Sequence, residues 1–409
     1  MINGTTLVNS TPRINTDKIA RIASENYAAG ENRPNRNVIL IVGDALRPSR
    51  MSLFGASRQT TPKLDKLAES EDLAYKGTIN TACAESFCGL VSLSRSSYAH
   101  TVSKFDLTMA EVLQQHGYQH KLVLGGDHTN FYGLREWLGK SDHYWDGTYS
   151  GIYTNDDRGV IDHLQTLPPN EEIPEVLQIH LMSTHALGTR EKSSQQWAPV
   201  HNYYRSHGFS KTASQRNLEM INYYDNGVLQ FDDKVSKILE ILREKNYLKD
   251  ALVIITGDHG EMLGEHSRYA HGNGVYQPVL EVPLIILRFG HKGPTYISDQ
   301  KAAHIDIGPT ILSELNLPIP QRWLGSSLDK LAQRQILFFE HHNEFGLTDF
   351  SIPEKRWKYW INRDTGEEFA FELNSDPGEL RNRSLFIPHS LRTKWRDALK
   401  DSLSAKPII

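Results

Sequence analysis

Two segments of the chain lead from apolar residues into side chains that bind divalent metal ions. Residues 251–255 (ALVII) precede Asp258 and His259, and residues 37–42 (NVILIV) precede Asp44. Apolar runs of this length are typical of buried strands, and parallel strands present their carboxyl ends along one edge of an α/β sheet, where ligands bind. The sequence therefore predicts that two carboxylates and an imidazole converge on one cation. The alternative for each segment taken alone is a solvated turn.

Residues 81–95 carry the hydroxyl best suited to act as a nucleophile beside such a cation. The segment runs from a loop of small residues into an apparent helix that begins near Ser86. Free backbone N–H groups and the positive end of the helix dipole favour an alkoxide or a bound oxyanion there, and a metal ion would activate the hydroxyl further. The alternative is that Ser86 only caps the helix. Cys83 and Cys88 are weaker candidates, because buried thiols are usually inert.

Composition excludes several broad classes of protein. The 409 residues are 39% hydrophobic and 23% charged, with a net charge of -4, which is ordinary for a globular protein and provides no basic surface for nucleic acid. No apolar run approaches the roughly 18 residues of a transmembrane anchor, and the start lacks a signal-peptide pattern. Because Cys83 and Cys88 are the only cysteines, we expect reduced thiols and a cytoplasmic protein. The sequence carries no signal for an oligomeric state.

Short apolar runs alternate with helical periods through most of the chain. Strand-like runs occupy residues 121–125, 176–182, 252–255 and 282–287, and the clearest helical period covers residues 217–245. Strands that alternate with helices predict an α/β fold, in which a mostly parallel central sheet carries helices on both faces.

The pattern changes after about residue 325, where short runs predict a small antiparallel subdomain with a terminal helix. We therefore divide the chain into an N-terminal arm (1–36), a catalytic α/β domain (37–325) and a C-terminal small-sheet and helix subdomain (326–409).

Several ordered motifs between about residues 37 and 385 resemble those of the sulfatases and phosphoethanolamine transferases of the alkaline phosphatase superfamily. The motifs are NVILIVGDALR (37–47), TTPKL (60–64), GDHGE (257–261), YAHG (269–272) and SDPGE (375–379). The resemblance implies an alkaline phosphatase/sulfatase-like fold. It also implies a metal-dependent hydrolase or transferase that acts on phosphoric or sulfuric esters.

The resemblance implies roles for individual residues as well. It places four metal ligands at Asp44, Ser86, Asp258 and His259, with Ser86 also the nucleophile. His185 and His271 would assist by binding non-bridging oxygens, holding a second metal or protonating the leaving group. Three oxygens and one nitrogen favour one Zn²⁺ ion, with Mn²⁺, Mg²⁺ or Ca²⁺ as alternatives.

Three other residues are candidates for contact with an anionic substrate. Arg47 follows the first predicted strand and either steers the substrate or pairs with a carboxylate. His100 comes soon after the nucleophile helix, and His128 follows a Gly-Gly pair at another strand end. We interpret His180, which lies within a predicted strand, as a hydrogen-bonded core histidine.

The predicted substrate is a small anionic ester. Ser86 would form a covalent seryl ester that water or an acceptor alcohol resolves. We favour phosphate monoesters or diesters, or phosphoethanolamine transfer, because an unmodified serine would release a sulfo group slowly. Ala45 also favours phosphate chemistry, because many sulfatases have a second Asp at this position and phosphoethanolamine transferases do not.

Two alternatives remain open. One is a true sulfatase in which Ser86 or Cys88 is modified to formylglycine, although Cys88 and Leu90 stand where the modification signature usually has Pro or Ala and then Arg. The other is a non-catalytic relative that binds an anionic ligand.

Overall fold

The structure is a computed structural model that describes residues 11–70, 72–148, 155–171, 173–202, 212–272, 274–297 and 301–404. Within these residues the chain forms a seven-stranded sheet, a four-stranded sheet and a two-stranded ribbon. The strands in chain order are β1 (Asn37–Gly43), β2 (Leu73–Asn80), β3 (Gln119–Leu124), β4 (His143–Asp146), β5 (Glu175–Leu181), β6 (Ala251–Gly257), β7 (Met262–Leu263), β8 (Tyr269–Ala270), β9 (Glu281–Phe289), β10 (Ile336–His341), β11 (Glu344–Asp349), β12 (Trp357–Asn362) and β13 (Glu368–Glu372).

Helices connect these strands and flank the sheets. In chain order they are α1 (Thr11–Glu25), α2 (Pro62–Leu67), α3 (Ser86–Arg95), α4 (Met109–Gln115), α5 (Leu134–Trp137), α6 (Asp157–Thr166), α7 (Ala213–Glu244), α8 (Gln277–Leu280), α9 (Ile307–Glu314) and α10 (His389–Ser404). Helix α7 covers most of the segment predicted from residues 217–245. It starts earlier than predicted because Thr212 and Gln215 form a reciprocal capping box at its amino end. No helix among the described residues is both long and apolar enough to cross a membrane.

The seven-stranded sheet has the order β2–β9–β6–β1–β5–β3–β4. Strand β1 pairs in parallel with β5 and β6, and β3 pairs in parallel with β4 and β5. Strand β9 runs antiparallel to both β6 and β2 and so makes one edge of the sheet antiparallel. The predicted mostly parallel sheet is confirmed. Its parallel strands end at one edge, where Asp44 and Asp258 follow directly.

Both faces of the central sheet are covered by helices, as predicted. Every residue of β1 is buried, which explains the apolar run at residues 38–42. Val38 and Leu40 pack in one hydrophobic cluster with α3, α4 and α9, whereas Ile39 and Ile41 pack in the opposite cluster with α6 and α7. Alternation along a single strand therefore supplies both cores.

The C-terminal sheet is antiparallel throughout, with the order β10–β11–β12–β13. Trp395 and Leu399 of α10 pack in one cluster with Phe345 and Tyr359 of this sheet. The predicted fold class, including the small antiparallel subdomain, is confirmed. Strand β11 was not predicted, because its sequence EFGLTD carries only two apolar side chains, Phe345 and Leu347, with a glycine between them. The domain boundaries remain a prediction.

Helix α3 packs directly against the backbone at the end of β6. A Cβ atom at Gly89 would lie 2.7 Å from the carbonyl oxygen of Asp258. We expect Gly89→Ala to push α3 outward and to lower the free energy of unfolding by about 1–3 kcal/mol, measured by urea denaturation. Gly378→Ala is the matched control, because its nearest heavy atom would be 3.5 Å away. A Gly89→Ala protein as stable as the control would contradict this account of the packing.

Candidate active site

Two neighbouring strands bring three potential metal ligands together. Gly43 of β1 is aligned with Gly257 of β6, so Asp44 and the pair Asp258 and His259 follow at the same level of the sheet. The three side chains are 4%, 0% and 0% exposed. Each offers a ligand atom, and these atoms lie within 4.8 Å of one another. Residues more than 200 positions apart in the sequence therefore converge in the manner that the strand ends predict.

The atoms that face one another in this cluster are available for coordination. His259 Nδ1 lies 2.7 Å from the carbonyl oxygen of Gly260, so Nδ1 carries the proton and Nε2 is left as an unprotonated acceptor. Asp258 Oδ1 accepts from the backbone N–H groups of Ala45 (3.0 Å) and His259 (2.8 Å). Asp258 Oδ2 and Asp44 Oδ1 are buried without a hydrogen-bond partner among the described residues. Two free carboxylate oxygens and one unprotonated imidazole nitrogen fit a divalent cation.

The pKa values of these three side chains also indicate a site for a cation. Burial, and next the charge of Asp258, raise the pKa of Asp44 to about 8. Burial alone would also raise the pKa of Asp258, but His259 and His180 outweigh it and hold that pKa below its usual range. Burial lowers the pKa of His259 to about 4, so the imidazole is neutral at neutral pH, as a metal ligand must be. Without a cation the two carboxylates therefore do not both ionise at neutral pH.

Ser86 lies against this cluster as the first residue of α3. Its Oγ is 3.0 Å from His259 Nε2 and 3.5 Å from Asp44 Oδ2. Glu85 occupies the capping position, and the Ser86 hydroxyl contacts Asp44 and His259 instead of capping the helix. The serine thus stands at the positive end of a helix dipole and beside the carboxylate pair.

The expectation of reduced thiols is wrong. Cys83 and Cys88 form a disulfide, because the turn from the loop into α3 brings their Cα atoms to 5.8 Å. This disulfide spans Ser86, and it removes both sulfurs as nucleophiles and Cys88 as a source of formylglycine. The expected cytoplasmic location rested only in part on reduced thiols, and it stays a prediction.

Two further histidines extend from His259 in a row. The ring centroids of His259 and His271 are 4.3 Å apart, and those of His271 and His185 are 5.3 Å apart. His271 Nδ1 lies 3.1 Å from Glu261 Oε1. Burial would lower the pKa of His271, but the Glu261 carboxylate outweighs it and raises the pKa to about 9. Burial, and next the charge of His271, lower the pKa of His185 to about 3. The row therefore combines one cationic imidazole, His271, with two neutral ones, His259 and His185, at neutral pH.

Arg47 and His100 were both predicted as candidates for substrate contact, and the structure places them in different surroundings. Arg47 donates to Glu265 Oε1 (2.9 Å) and to the carbonyl oxygen of Glu261 (2.8 Å), so it pairs with a carboxylate, which was the second of its two predicted roles. His100 is not at the site. Its Nδ1 contacts Glu340 Oε1 and its Nε2 contacts Ser402 Oγ, both at 3.0 Å, so it joins the segment after α3 to the C-terminal sheet and α10.

His128 and His180 lie on the other side of the carboxylates. Their rings meet edge to face at 4.6 Å, and His180 Nε2 is 3.8 Å from Asp44 Oδ2 and 3.9 Å from Asp258 Oδ2. Neither ring nitrogen of His180 makes a hydrogen bond of ordinary geometry within the described residues. His180 is buried within its strand, as interpreted, but the polar groups nearest its Nε2 are the two site carboxylates and not a separate core partner. Burial lowers the pKa of His128 to about 3, so this predicted substrate contact is a neutral, buried ring.

Sequence reasoning assigned no role to two residues that shape the site. Glu261 sets the charge of His271, and its only signal was its place in the GDHGE motif. Tyr224 of α7 accepts from the backbone N–H of Arg47 (2.8 Å) and donates to the carbonyl oxygen of Ala45. It thereby holds the turn after β1, a contact that no spacing in the sequence could have indicated.

Comparison with known proteins identifies the family. The sulfatase family model matches residues 36–317, which is more than half of the chain. The chain belongs to the sulfatase family. The predicted membership is therefore confirmed, and the site described above is that of a sulfatase-family protein.

Two curated relatives illustrate the range of the family. Arylsulfatase K from the dog (Canis lupus familiaris) is 27% identical over 231 residues, which are 50% of this chain and 43% of that protein. The phosphatidylethanolamine transferase Mcr-2 of Escherichia coli is 24% identical over 314 residues, which are 73% of this chain and 57% of that protein. The chain thus spans less than two thirds of the length of either relative.

A solved structure shares the fold. BT4656, determined in complex with its substrate D-glucosamine-2-N,6-O-disulfate, superposes with a TM-score of 0.71 at 15% sequence identity. The alignment covers 91% of this chain and 98% of that one. The sulfatase-like fold therefore extends across both the central sheet and the C-terminal sheet.

The geometry predicts metal binding that depends on Asp258. We expect wild-type protein to retain a divalent ion through dialysis and Asp258→Asn to bind it about 100-fold more weakly, since an amide removes the charge that offsets the cation. Zinc titration followed by elemental analysis measures both. Asp364→Asn, at an exposed turn, is the control and should bind like the wild type. Equal binding by both variants would show that the ion does not use the buried carboxylates.

Proposed function

We propose that this chain is a metal-dependent hydrolase or transferase that cleaves a phosphate ester through a covalent seryl intermediate. The observation that carries the proposal is the position of Ser86 Oγ, 3.0 Å from His259 Nε2 and 3.5 Å from Asp44 Oδ2 at the start of α3. A hydroxyl in that position has few structural tasks and is well placed for in-line attack. Membership of the sulfatase family supports the assignment.

One divalent ion would be held by four side chains, which are Asp44, Ser86, Asp258 and His259. Three oxygens and one nitrogen suit tetrahedral Zn²⁺, which we favour over Mn²⁺, Mg²⁺ or Ca²⁺. When bound, such an ion supplies Lewis-acid chemistry, because it lowers the pKa of a neighbouring hydroxyl and offsets negative charge on the transferred group.

In the first step, the Ser86 hydroxyl releases its proton to water and Oγ bonds to phosphorus while the bond to the leaving oxygen breaks. His271 is cationic at neutral pH and donates Nδ1–H to Glu261. Its Nε2–H is therefore free to protonate the leaving oxygen. His185 Nδ1 accepts from the backbone N–H of Leu187 (3.2 Å), which places its proton on Nε2 as a donor for a non-bridging oxygen.

In the second step, water or an acceptor alcohol attacks the seryl ester. The neutral His271 left by the first step accepts the proton of the attacking hydroxyl at Nε2, so the imidazolium is restored. The bond between phosphorus and Ser86 Oγ breaks, and Oγ takes back from water the proton that it released in the first step. The positive end of α3 stabilises the charge on the transferred group in both steps. A hydrolase and a transferase would differ only in which hydroxyl enters at this stage.

A serine nucleophile favours a phosphate ester over a sulfate ester as the substrate. Residue 86 is a serine in the sequence, and Cys88 is engaged in a disulfide. An aligned transferase, Mcr-2, covers 73% of this chain, against 50% for arylsulfatase K. A small phosphate monoester or diester, including a phosphoethanolamine donor, is the substrate class that we propose.

Sulfate ester cleavage is the second candidate. The similarity to arylsulfatase K supports it. It requires modification of Ser86, because Cys88 is not available. A peptide mass that shows an aldehyde in place of the Ser86 side chain would select this candidate.

Substitution of Ser86 distinguishes phosphate ester cleavage from sulfate ester cleavage. We expect wild-type protein to hydrolyse p-nitrophenyl phosphate or bis-p-nitrophenyl phosphate faster than p-nitrophenyl sulfate. Ser86→Ala should lower phosphoester kcat/KM by about 10³-fold or more while its metal content persists through the other three ligands. Ser86→Thr, which keeps a hydroxyl, should retain part of the activity. Turnover of the sulfate alone, or full activity in Ser86→Ala, would contradict the proposed function.

The pH dependence of the reaction should depend on Glu261. The Glu261 carboxylate raises the pKa of His271 to about 9, so the protonated acid persists through neutral pH and is lost as the pH rises through that value. Glu261→Gln removes the negative charge and lowers the pKa of His271. We expect the descending limb of the kcat/KM profile to move to lower pH. Glu367→Gln, at an exposed position, should leave the limb unchanged, and an unmoved limb in Glu261→Gln would exclude His271 as the acid.

A further inference from the structure

A second group of potential metal ligands joins the loop before Ser86 to the C-terminal sheet. Glu85 immediately precedes Ser86, His341 is the last residue of β10, and His342 begins the turn into β11. Each offers one ligand atom, and these atoms lie within 4.8 Å of one another. None of the three belongs to the site formed by Asp44, Asp258 and His259.

His341 is the member of this group that most requires a partner. It is only 3% exposed, yet neither of its ring nitrogens makes a hydrogen bond of ordinary geometry within the described residues. An imidazole that is removed from water and left unpaired costs free energy, and buried polar groups in proteins are rarely left so. Burial, and next the charge of His342, lower the pKa of His341, so the ring is neutral and has a lone pair to donate.

The backbone turns both histidines toward the same place. Consecutive residues of a regular strand point to opposite faces. His342 instead has φ of 48°, in the left-handed region, and its ring centroid lies 4.0 Å from that of His341. His342 Nε2 is 3.9 Å from Glu85 Oε2, a distance too long for a hydrogen bond but close to that between two ligands of one ion.

Main-chain contacts hold the two halves of this group at a fixed separation. The backbone N–H of Glu340 donates to the carbonyl oxygen of Ala82 at 3.0 Å, and Cys83 forms a parallel bridge with Glu340. The loop that carries Glu85 is closed by the disulfide between Cys83 and Cys88. The three side chains therefore project from two rigidly joined segments, which limits the reorganisation needed to coordinate an ion.

We propose that Glu85, His341 and His342 form a second binding site for a divalent transition-metal ion. Two imidazoles and one carboxylate suit Zn²⁺, Co²⁺, Ni²⁺ or Cu²⁺ and are poor ligands for Mg²⁺ or Ca²⁺. Three protein ligands leave a coordination position open, as in sites whose ion also binds water or an anion. Because Glu85 precedes Ser86, an ion here would fix the start of α3 to the C-terminal sheet and would add positive charge beside the nucleophile.

Metal stoichiometry tests the proposal with single substitutions. After saturation with Zn²⁺ and dialysis, elemental analysis should find two ions per wild-type chain, one in His342→Gln, one in Asp258→Asn and none in the double variant. The side chain of His342 is 67% exposed, so its replacement should leave the fold intact, and a thermal melt in EDTA checks this. His341→Gln should lose the same ion as His342→Gln.

His389→Gln removes an exposed histidine elsewhere in the chain and serves as the matched control. It should retain both ions. Wild-type stoichiometry in His342→Gln and His341→Gln, or an equal loss in His389→Gln, would overturn the second site and leave the proposed function untouched. Loss of an ion in His342→Gln without any loss in Asp258→Asn would support the second site and count against the metal-dependent mechanism at Ser86.

Discussion

Two carboxylates buried side by side are the constraint on which this structure depends. Asp44 and Asp258 offer ligand atoms within 4.8 Å at the ends of adjacent strands, with almost no access to water. At an effective dielectric constant near 20, two ionised carboxylates at that distance repel by about 3–4 kcal/mol. A proton or a cation must offset that repulsion. The raised pKa of Asp44 corresponds to relief of the repulsion by a proton. The unpaired carboxylate oxygens and the unprotonated Nε2 of His259 are placed to bind a cation instead.

The remaining elements bring reactive groups to that pair. The parallel pairing of β1 with β6 sets the two acidic turns level, and the absence of a side chain at Gly89 lets α3 approach the end of β6. The start of α3 then presents Ser86, and the disulfide on either side of it closes the loop. The Glu261 carboxylate stabilises the positive charge of His271, so a serine hydroxyl and a cationic imidazole both lie next to His259. A metal-dependent transfer of an anionic group is the chemistry that this combination suits best.

The sequence predicts the parts of this site that follow from local rules. Apolar runs ending in Asp44 and in Asp258 with His259 are strand ends, and a hydroxyl at a helix start needs only small flanking residues to be noticed. What it could not predict depends on contacts between distant residues. The position of His180 in the sequence of β5 is that of a core histidine. Only the order of the strands in the sheet places it beside the two carboxylates.

The other corrections have similar causes. His100 follows the nucleophile helix closely in sequence, but its partners, Glu340 and Ser402, come from the far end of the chain. The disulfide between Cys83 and Cys88 depends on how tightly the chain turns into α3, and cysteine count alone favoured free thiols. In each case the sequence gives the type of residue but does not show which distant residues it contacts.

The central claim is that Ser86 becomes covalently attached to the transferred group. The most direct measurement is to quench the reaction with a phosphodiester substrate in acid and to sequence the peptides by mass spectrometry. The account predicts a phosphoryl group, or a phosphoester fragment, on Ser86 that is absent without substrate and absent in metal-depleted protein. Steady turnover with no adduct on Ser86, or with the adduct on another residue, would contradict it.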